Sequence, residues 1–272
     1  MRCIYMGKHK RSAVGGLEHL VASGWEVAAV VAPPGDPRAA EDQRLDLAAE
    51  QAGLTLTTDD DLYAALDGGG WTGAGGGGLD LDGIDAVFSF LFWKRIRPPL
   101  IELGRLGCLN FHPAPLPDMR GLGGYNVAIL EDWPEWGVSA HYVDADFDTG
   151  DLVRVDRFPI DRDRETALSL DFRSQARLLE VFRWTADELA AGRELPRTAQ
   201  GSGRYVDRAE FESLRAVRLG DPPELTARRI RAFWYPPHDG ATLEIDGQTV
   251  TLLDRGLLGE IAEAYRDAGV RP

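Results

Sequence analysis

Asn110 and His112 stand two residues apart at the end of the strand-like run GCLNFH, so their side chains project to the same side. Pro113, Pro115 and Pro117 stiffen the chain beyond them, and Gly121, Gly123 and Gly124 allow a sharp loop before the next helix. Further on, Asp148-Thr149-Gly150-Asp151 forms an acid-rich turn between two apolar strands. Folded back over His112, it would add a carboxylate to an amide and an imidazole. An amide donates hydrogen bonds, an imidazole exchanges protons near neutral pH, and a carboxylate orients such a ring. His112 alone reads equally as a satisfied core histidine. The joint pattern is what points to a site.

These residues need a scaffold that presents strand ends to a ligand. From Arg2 to Ile160 the chain alternates β-branched apolar runs with helix-period segments, the pattern of a Rossmann-like, mostly parallel sheet with flanking helices. Strands are expected at Arg2–Met6, Trp25–Val31, Leu54–Leu56, Ile84–Leu91, Gly107–Phe111, Val138–Val143 and Leu152–Phe158. Helices are expected at Ser12–Ser23, Glu41–Gly53, Asp60–Leu66, from Pro98-Pro99 to Leu103, and at Tyr125–Glu131. The run IDAVFSFL is apolar almost throughout, as a central strand covered on both faces should be. In open sheets of this kind ligands bind beyond the carboxyl ends of the strands, which is where Asn110 and His112 fall.

Glu165–Ala191 carries helical periodicity through Leu168, Leu170, Phe172, Leu178, Leu179, Phe182 and Leu189, and Leu195–Gly203 (LPRTAQGSG) reads as a linker. The tail changes rhythm, with a helix at Leu225–Trp234, a hairpin around Asp246-Gly247 and a closing helix at Leu258–Ala268. The expected division is a catalytic domain over 1–195 and a small α+β domain over 203–272. The aromatic stretch Phe233-Trp234-Tyr235 reads as packing beside the hairpin. Most of the residues from Gly68 to Gly78 are glycine; no Lys-Ser/Thr follows, so a surface linker is expected rather than a phosphate loop.

Composition excludes several classes. Forty-four per cent hydrophobic and 27% charged residues rule out wholesale disorder and a coiled-coil rod. Thirty basic against 44 acidic residues give −14, which disfavours a nucleic acid or an anionic membrane as partner. No apolar stretch is long enough to span a membrane. Cys3 and Cys108 sit in apolar runs and fit a reducing compartment. The chain opens directly on a strand with no signal peptide, so a cytoplasmic location is expected. No ligand spacing supports a metal: His9, His19 and His238 are isolated, and His141 lies in an alternating strand where a satisfied partner is expected.

The run NFHPAPLPDMRG, followed from Asp148 by DTGD, resembles the formyltransferases that use 10-formyltetrahydrofolate. The opening MRCIYMG…LEHLVASGWEVAAVV is similar to the first βαβ unit of the methionyl-tRNA and sugar branches. The resemblance covers residues 1–165 well and the tail loosely. It implies the formyltransferase fold, 10-formyltetrahydrofolate as formyl donor, and Asn110, His112 and Asp148 as the catalytic trio. In that chemistry an unprotonated amine attacks the formyl carbon and the formyl oxygen becomes an oxyanion. Asn110 would donate to that oxygen, a contribution of ~3–4 kcal/mol for such a donor. His112 would stabilise the oxygen or carry the proton from amine to leaving nitrogen. Asp148 would orient the imidazole and favour its charged form. No acyl-enzyme is implied, and no nucleophile elbow occurs in the sequence.

The resemblance also implies a folate pocket between two loops. One is Phe92-Trp93-Lys94-Arg95-Ile96, the other Asp144-Ala145-Asp146-Phe147-Asp148, with Trp93 and Ile96 lining and Leu116 and Pro117 as a wall toward the amine. Trp93 also reads as a cap on the core. For the amine acceptor, Lys8, His9, Lys10 and Arg11 open the first helix and could meet an anionic group or simply be solvated. Arg120 and Tyr125 follow the catalytic histidine closely enough to touch an acceptor.

The expected function is therefore N-formylation of a small-molecule amine, either a nucleotide-linked amino sugar or a specialised metabolite, by an enzyme for which a homodimer is left open. Methionyl-tRNA formylation is the first rival; it calls for a basic tail, whereas residues from 201 on carry 10 basic and 12 acidic side chains, or −2. Hydrolysis of 10-formyltetrahydrofolate and a non-catalytic binding role on the same fold are the others.

Overall fold

The computed structural model describes residues 1–36, 39–68 and 79–267. The glycine tract expected to be a linker falls almost wholly outside the described residues. In chain order the elements are β1 (Arg2–Gly7), α1 (Arg11–Ala22), β2 (Glu26–Val31), α2 (Leu45–Gln51), β3 (Leu56–Thr57), α3 (Asp59–Leu66), β4 (Ala86–Phe90), α4 (Leu100–Leu103), β5 (Cys108–His112), β6 (Met119–Gly121) and α5 (Gly124–Leu130). There follow β7 (Glu135–Tyr142), β8 (Leu152–Pro159), α6 (Ala167–Ala190), β9 (Arg204–Val206), α7 (Arg208–Ser213), α8 (Pro223–Ala232), β10 (Ala241–Ile245), β11 (Gln248–Leu252) and α9 (Arg255–Asp267). A 3₁₀ turn over Glu41–Gln43 takes the start of what the periodicity alone reads as one long helix.

Seven strands form the main sheet in the order β3-β2-β1-β4-β5-β7-β8. Pairing is parallel from β3 through β5 and turns antiparallel at β5–β7, so the expected mostly parallel sheet is present. β4 is buried at every position, as its unbroken apolar run requires. On one side of the sheet Phe182 of α6 sets its ring edge-on against Tyr5, Phe88, Phe90 and Phe111. A second cluster holds Ile4, Met6, Leu62, Ile84, Val87, Ile96 and Leu100. Along α6 the expected stripe is kept by Leu170, Leu178, Phe182 and Leu189. Phe172 departs from it and stands 65% exposed, because a step of two from Leu170 carries the chain more than half a turn round a helix.

The backbone divides into two compact units: residues 1–118, 137–157 and 174–203, and residues 119–136, 158–173 and 204–272. The tail thus shares its unit with two stretches of what the sequence reads as the catalytic domain. Within this second unit β6 pairs in parallel with β9, and the Asn126 side chain donates to the Ala232 carbonyl at 2.6 Å, tying α5 to α8. Hydrogen bonds between elements so distant in the chain are invisible to local periodicity. Phe233 is buried and Tyr235 donates to Asp171 at 2.6 Å, so the aromatic stretch packs as expected. The expected hairpin also forms around Asp246-Gly247, as β10–β11 with Ile245 opposite Gln248.

Candidate active site

Strand register assembles the centre of the site. Asn110 of β5 lies opposite Ser89 of β4 on one side and His141 of β7 on the other. Residues directly paired across neighbouring strands share a face, so three polar side chains line up over an otherwise apolar sheet. Ser89 donates to Asn110 Oδ1 at 2.7 Å, and Asn110 Nδ2 lies 2.9 Å from His141 Nε2. His141 Nδ1 is 2.7 Å from the Tyr142 carbonyl, an acceptor, so that nitrogen carries the proton and neutral Nε2 accepts from Asn110. The other hydrogen of the Asn110 amide is directed at Asp148 Oδ1 over 3.4 Å, a long hydrogen bond that a better-placed acceptor can replace.

The loop after β7 brings in the carboxylate. Asp148 Oδ1 lies 3.4 Å from Asn110 Nδ2, 3.6 Å from His112 Nδ1 and 3.5 Å from His141 Nε2. Asp148 has φ +56°, the left-handed region, a strained setting that Asp tolerates better than most side chains and that recurs at functional sites. Gly150 lets the loop close: a β-carbon there would collide with the Tyr142 carbonyl oxygen. The amide, imidazole and carboxylate read from the sequence therefore meet at one point, although a helix and two strands of the chain separate the first two from the third.

His112 sits mostly buried, with 15% of its side chain exposed. Burial holds its imidazole below the usual histidine value, and His141 and Lys8 push the same way; the Asp148 carboxylate opposes them without prevailing. The expectation that Asp148 favours the charged ring gives its direction correctly but loses to desolvation. A ring kept neutral at pH 7 can accept a proton. Among the described residues no group of three or more His, Cys, Asp or Glu could hold a metal ion.

The remaining expected site residues distribute unevenly. The loops at 92–96 and 144–148 do meet: the Arg95 guanidinium donates to the Ala145 carbonyl, reaches Asp146 at 3.6 Å and lies over the Phe147 ring at 5.9 Å. Trp93 (39%) and Phe147 (57%) are exposed, apolar surface beside backbone polar groups, which is a setting that fits a planar heterocycle. Ile96 packs in the core cluster, with Phe92 partly buried against it, and Lys94 pairs with Asp59 at 2.7 Å. Asp144 caps its own loop, accepting from Asp146 N and from the Thr149 hydroxyl at 2.6 Å. Leu116 is buried, its N–H donating to Ser139 at 2.9 Å. Of the basic loop, Lys8 is exposed and acts on His112, His9 is turned to Asp46 and the Leu45 N–H, and Arg11 pairs with Glu18. Lys10 precedes α1. Arg120 and Tyr125 belong to the second unit, on β6 and at the start of α5, where the Tyr125 ring lies tilted against Trp136 at 5.5 Å.

Two residues escape the sequence reading, Ser89 and Ser139; His141 has the satisfied partners expected of it, in Asn110 and the Tyr142 carbonyl, but the sequence does not foretell its place beside the trio. Ser139 lies opposite His112 and bonds both Leu116 N and the Ala114 carbonyl, fixing the loop after His112. The signal was present as polar residues at alternate positions, Ser139 and His141, in a strand buried on both faces from Trp136 to Tyr142. Ser89 interrupts the apolar β4 in the same way.

With the fold and this geometry established, comparison with known proteins gives the class. A family model described as formyl transferase matches residues 79–180. A methionyl-tRNA formyltransferase of Paracidovorax citrulli is 30% identical over 92% of this chain and 76% of its own length. The chain belongs to the formyltransferase family. A GDP-perosamine N-formyltransferase of Brucella melitensis is 31% identical over 60% of the chain, and the match spans 62% of that relative's length. In fold, the chain is similar to an N-formyltransferase of Helicobacter canadensis, solved with folinic acid and dTDP-3-aminofucose, at a TM-score of 0.71 and 21% identity over 90% of this chain and 84% of that one.

Proposed function

We propose that this chain transfers the formyl group of 10-formyltetrahydrofolate directly to the primary amine of a small molecule, in the first place a nucleotide-linked amino sugar. The carrying observation is the convergence of Asn110, His112 and Asp148 on one point, with the Asn110 amide oriented by Ser89 and His141. The donor supplies an activated formyl carbon. The Asn110 amide hydrogen that rests on Asp148 at 3.4 Å is given to the formyl oxygen as charge develops there. His112, neutral at rest, takes the proton released by the attacking amine and returns it to N10 as the bond from the formyl carbon to N10 breaks and tetrahydrofolate leaves; Asp148 stabilises the ring while it is charged. Trp93 and Phe147, with the backbone of Asp144–Phe147, would hold the pterin, and Leu116 would stand between donor and acceptor. Lys8, exposed and felt at His112, supports an anionic group on the acceptor, as in a nucleotide sugar.

The particular acceptor follows from two kinds of support. A relative named for GDP-perosamine and a structural neighbour solved with a dTDP amino sugar favour that class. Methionyl-tRNA formylation is the second reading, favoured by a relative so named that aligns over nearly the whole chain. The −14 charge argues against it, since tRNA binding draws on phosphate neutralisation. We also propose residues 1–195 as the catalytic domain, 203–272 as a small accessory domain, and a cytoplasmic location, which the two buried free thiols suit. No helix among the described residues is long and apolar enough to cross a membrane.

The test is a formyl-transfer assay with 10-formyltetrahydrofolate and, as acceptors, GDP-perosamine, dTDP-3-aminofucose and charged initiator tRNA. Transfer to an amino sugar is expected, with His112→Ala and Asp148→Ala each lowering turnover on the order of 100-fold while the fold persists. Wild-type turnover in both variants contradicts the site; efficient, steeply salt-dependent formylation of the tRNA reverses the acceptor ranking.

A further inference from the structure

The stretch Leu195–Gly203 has a linker's composition, yet it is bound to the first unit along its length. Leu195 is buried. Thr198 and Leu152 exchange both backbone hydrogen bonds, at 2.8 and 3.0 Å, at the start of β8. Gln200 Nε2 donates to the Gly150 carbonyl at 2.6 Å. Gly203 lies so close to the Pro117 carbonyl that a β-carbon would overlap it. The segment thus touches the foot of β8, the loop that carries Asp148, and the end of the loop that follows His112.

The contact at Gly150 is the consequential one. Gly150 is wedged between two groups. On one side stands the Tyr142 carbonyl, which also accepts from His141 Nδ1; on the other stands the Gln200 amide. The Tyr142 N–H donates to the Asp151 carbonyl at 2.8 Å, closing the loop at its far end. Between these anchors Asp148 holds φ +56°, a conformation that an unsupported Asp leaves readily. Something must over-determine that turn, and a side-chain amide gripping the backbone carbonyl of Gly150, just downstream, does so.

We propose that Gln200 is a positioning residue for Asp148, its amide fixing the turn at Gly150 so that the carboxylate stays aimed at Asn110, His112 and His141. The kinetic part rests on the formyl-transfer reading above; the structural part stands without it. The donor character of the amide is the essential feature. Glutamate has the same shape but sets an acceptor oxygen against an acceptor carbonyl, so it should disturb the loop more than alanine does.

The experiment compares the full-length wild type with Gln200→Ala and Gln200→Glu by three readouts: deuterium exchange over residues 144–151, NMR titration of the His112 ring, and kcat and KM with 10-formyltetrahydrofolate and GDP-perosamine. The groups acting on His112 are Asp148, His141 and Lys8; Asp148 alone of these raises its pKa. The expected result is an unfolding midpoint near that of wild type, exchange over 144–151 faster by about tenfold, and a His112 pKa lowered further as Asp148 drifts away. A kcat about tenfold lower at nearly constant KM for the amine should accompany these, with Glu worse than Ala. Unchanged exchange and titration overturn the proposal. So does faster exchange with wild-type kcat, and so does failure of both variants to fold, which would make Gln200 a determinant of the fold. If the wild type itself transfers no formyl group to any acceptor, the functional reading falls, and exchange and titration alone decide the role of Gln200.

Discussion

Asn110 and His141 face each other across the β5–β7 pairing with Nδ2 and Nε2 2.9 Å apart, and their surroundings allow a single hydrogen-bond arrangement. His141 spends its Nδ1 hydrogen on the Tyr142 carbonyl and Ser89 spends its hydroxyl on Asn110 Oδ1. Flipping the Asn110 amide would set its oxygen against two acceptors, the bare Nε2 of His141 and the Asp148 carboxylate, whereas the Ser89 hydroxyl could turn and accept from the amide. Each such acceptor–acceptor contact costs about 1–3 kcal/mol. The amide is therefore held with one donor on His141 and the other toward Asp148 and His112 before any ligand arrives, which is the preorganisation an oxyanion site requires.

Replacing His141 by Phe keeps a planar ring and removes the acceptor. Asn110 should then lose its fixed orientation, and kcat should fall by about 10- to 100-fold with little change in KM for the folate. Steady-state kinetics check this; wild-type kcat in a folded variant would show that the His141 acceptor is not what orients the amide.

Ser89→Ala tests the other side of the same amide. The buried Asn110 oxygen loses its donor, so the variant should be less stable by about 1–3 kcal/mol by chemical denaturation and slower by about tenfold in turnover. Ser89→Thr keeps the hydroxyl and should recover part of both, whereas equal loss in the two variants would trace the effect to packing in β4.

The pH dependence follows from His112. Its folded pKa lies below the ordinary 6.5, so the neutral ring is favoured by the fold. The associated stability is fully present above pH 6.5. It fades as pH drops through the lowered folded value, because the unfolded chain takes up the proton first. Turnover should follow the same titration, with its acidic limb below pH 6.5. Asp148 raises this pKa and Lys8 lowers it, so Asp148→Asn should move the limb down and Lys8→Ala should move it up. A pH–rate series on the three proteins measures both signs.

The legible part of this molecule was the part written in local pattern. Alternation and runs gave the strands of the sheet, and Asn110-x-His112 with Asp148 gave three of the site's polar groups, because strand period and loop composition act over short distances along the chain. Ser89, Ser139 and His141 were harder, since each matters through a partner on a neighbouring strand or loop: Asn110 for Ser89 and His141, and the loop at 114–116 for Ser139. Register is set by the whole sheet. The second unit was hidden for the same reason, because Met119–Gly121 of β6 meets Arg204–Val206 of β9 and nothing in either tripeptide announces the other. The neutrality of His112 was also out of reach. The sequence shows a carboxylate nearby but not the burial that outweighs it.

Gly150 offers the sharpest probe of the loop that carries Asp148. Its missing side chain lets the backbone close on the Tyr142 carbonyl, and that carbonyl is already engaged by His141 Nδ1. Gly150→Ala must move either the loop or the end of β7. Movement of the loop displaces Asp148 from His112, and movement of β7 displaces His141 from Asn110; either way a group of the site is misplaced. Misplacement by about 1 Å costs on the order of 100-fold in rate. The variant should therefore lose about that factor in kcat while circular dichroism shows the sheet and helices intact, since the change is confined to one turn at the sheet's end. A kcat near that of wild type would mean that the aspartate does not need its present place, and its role would then have to be sought away from His112.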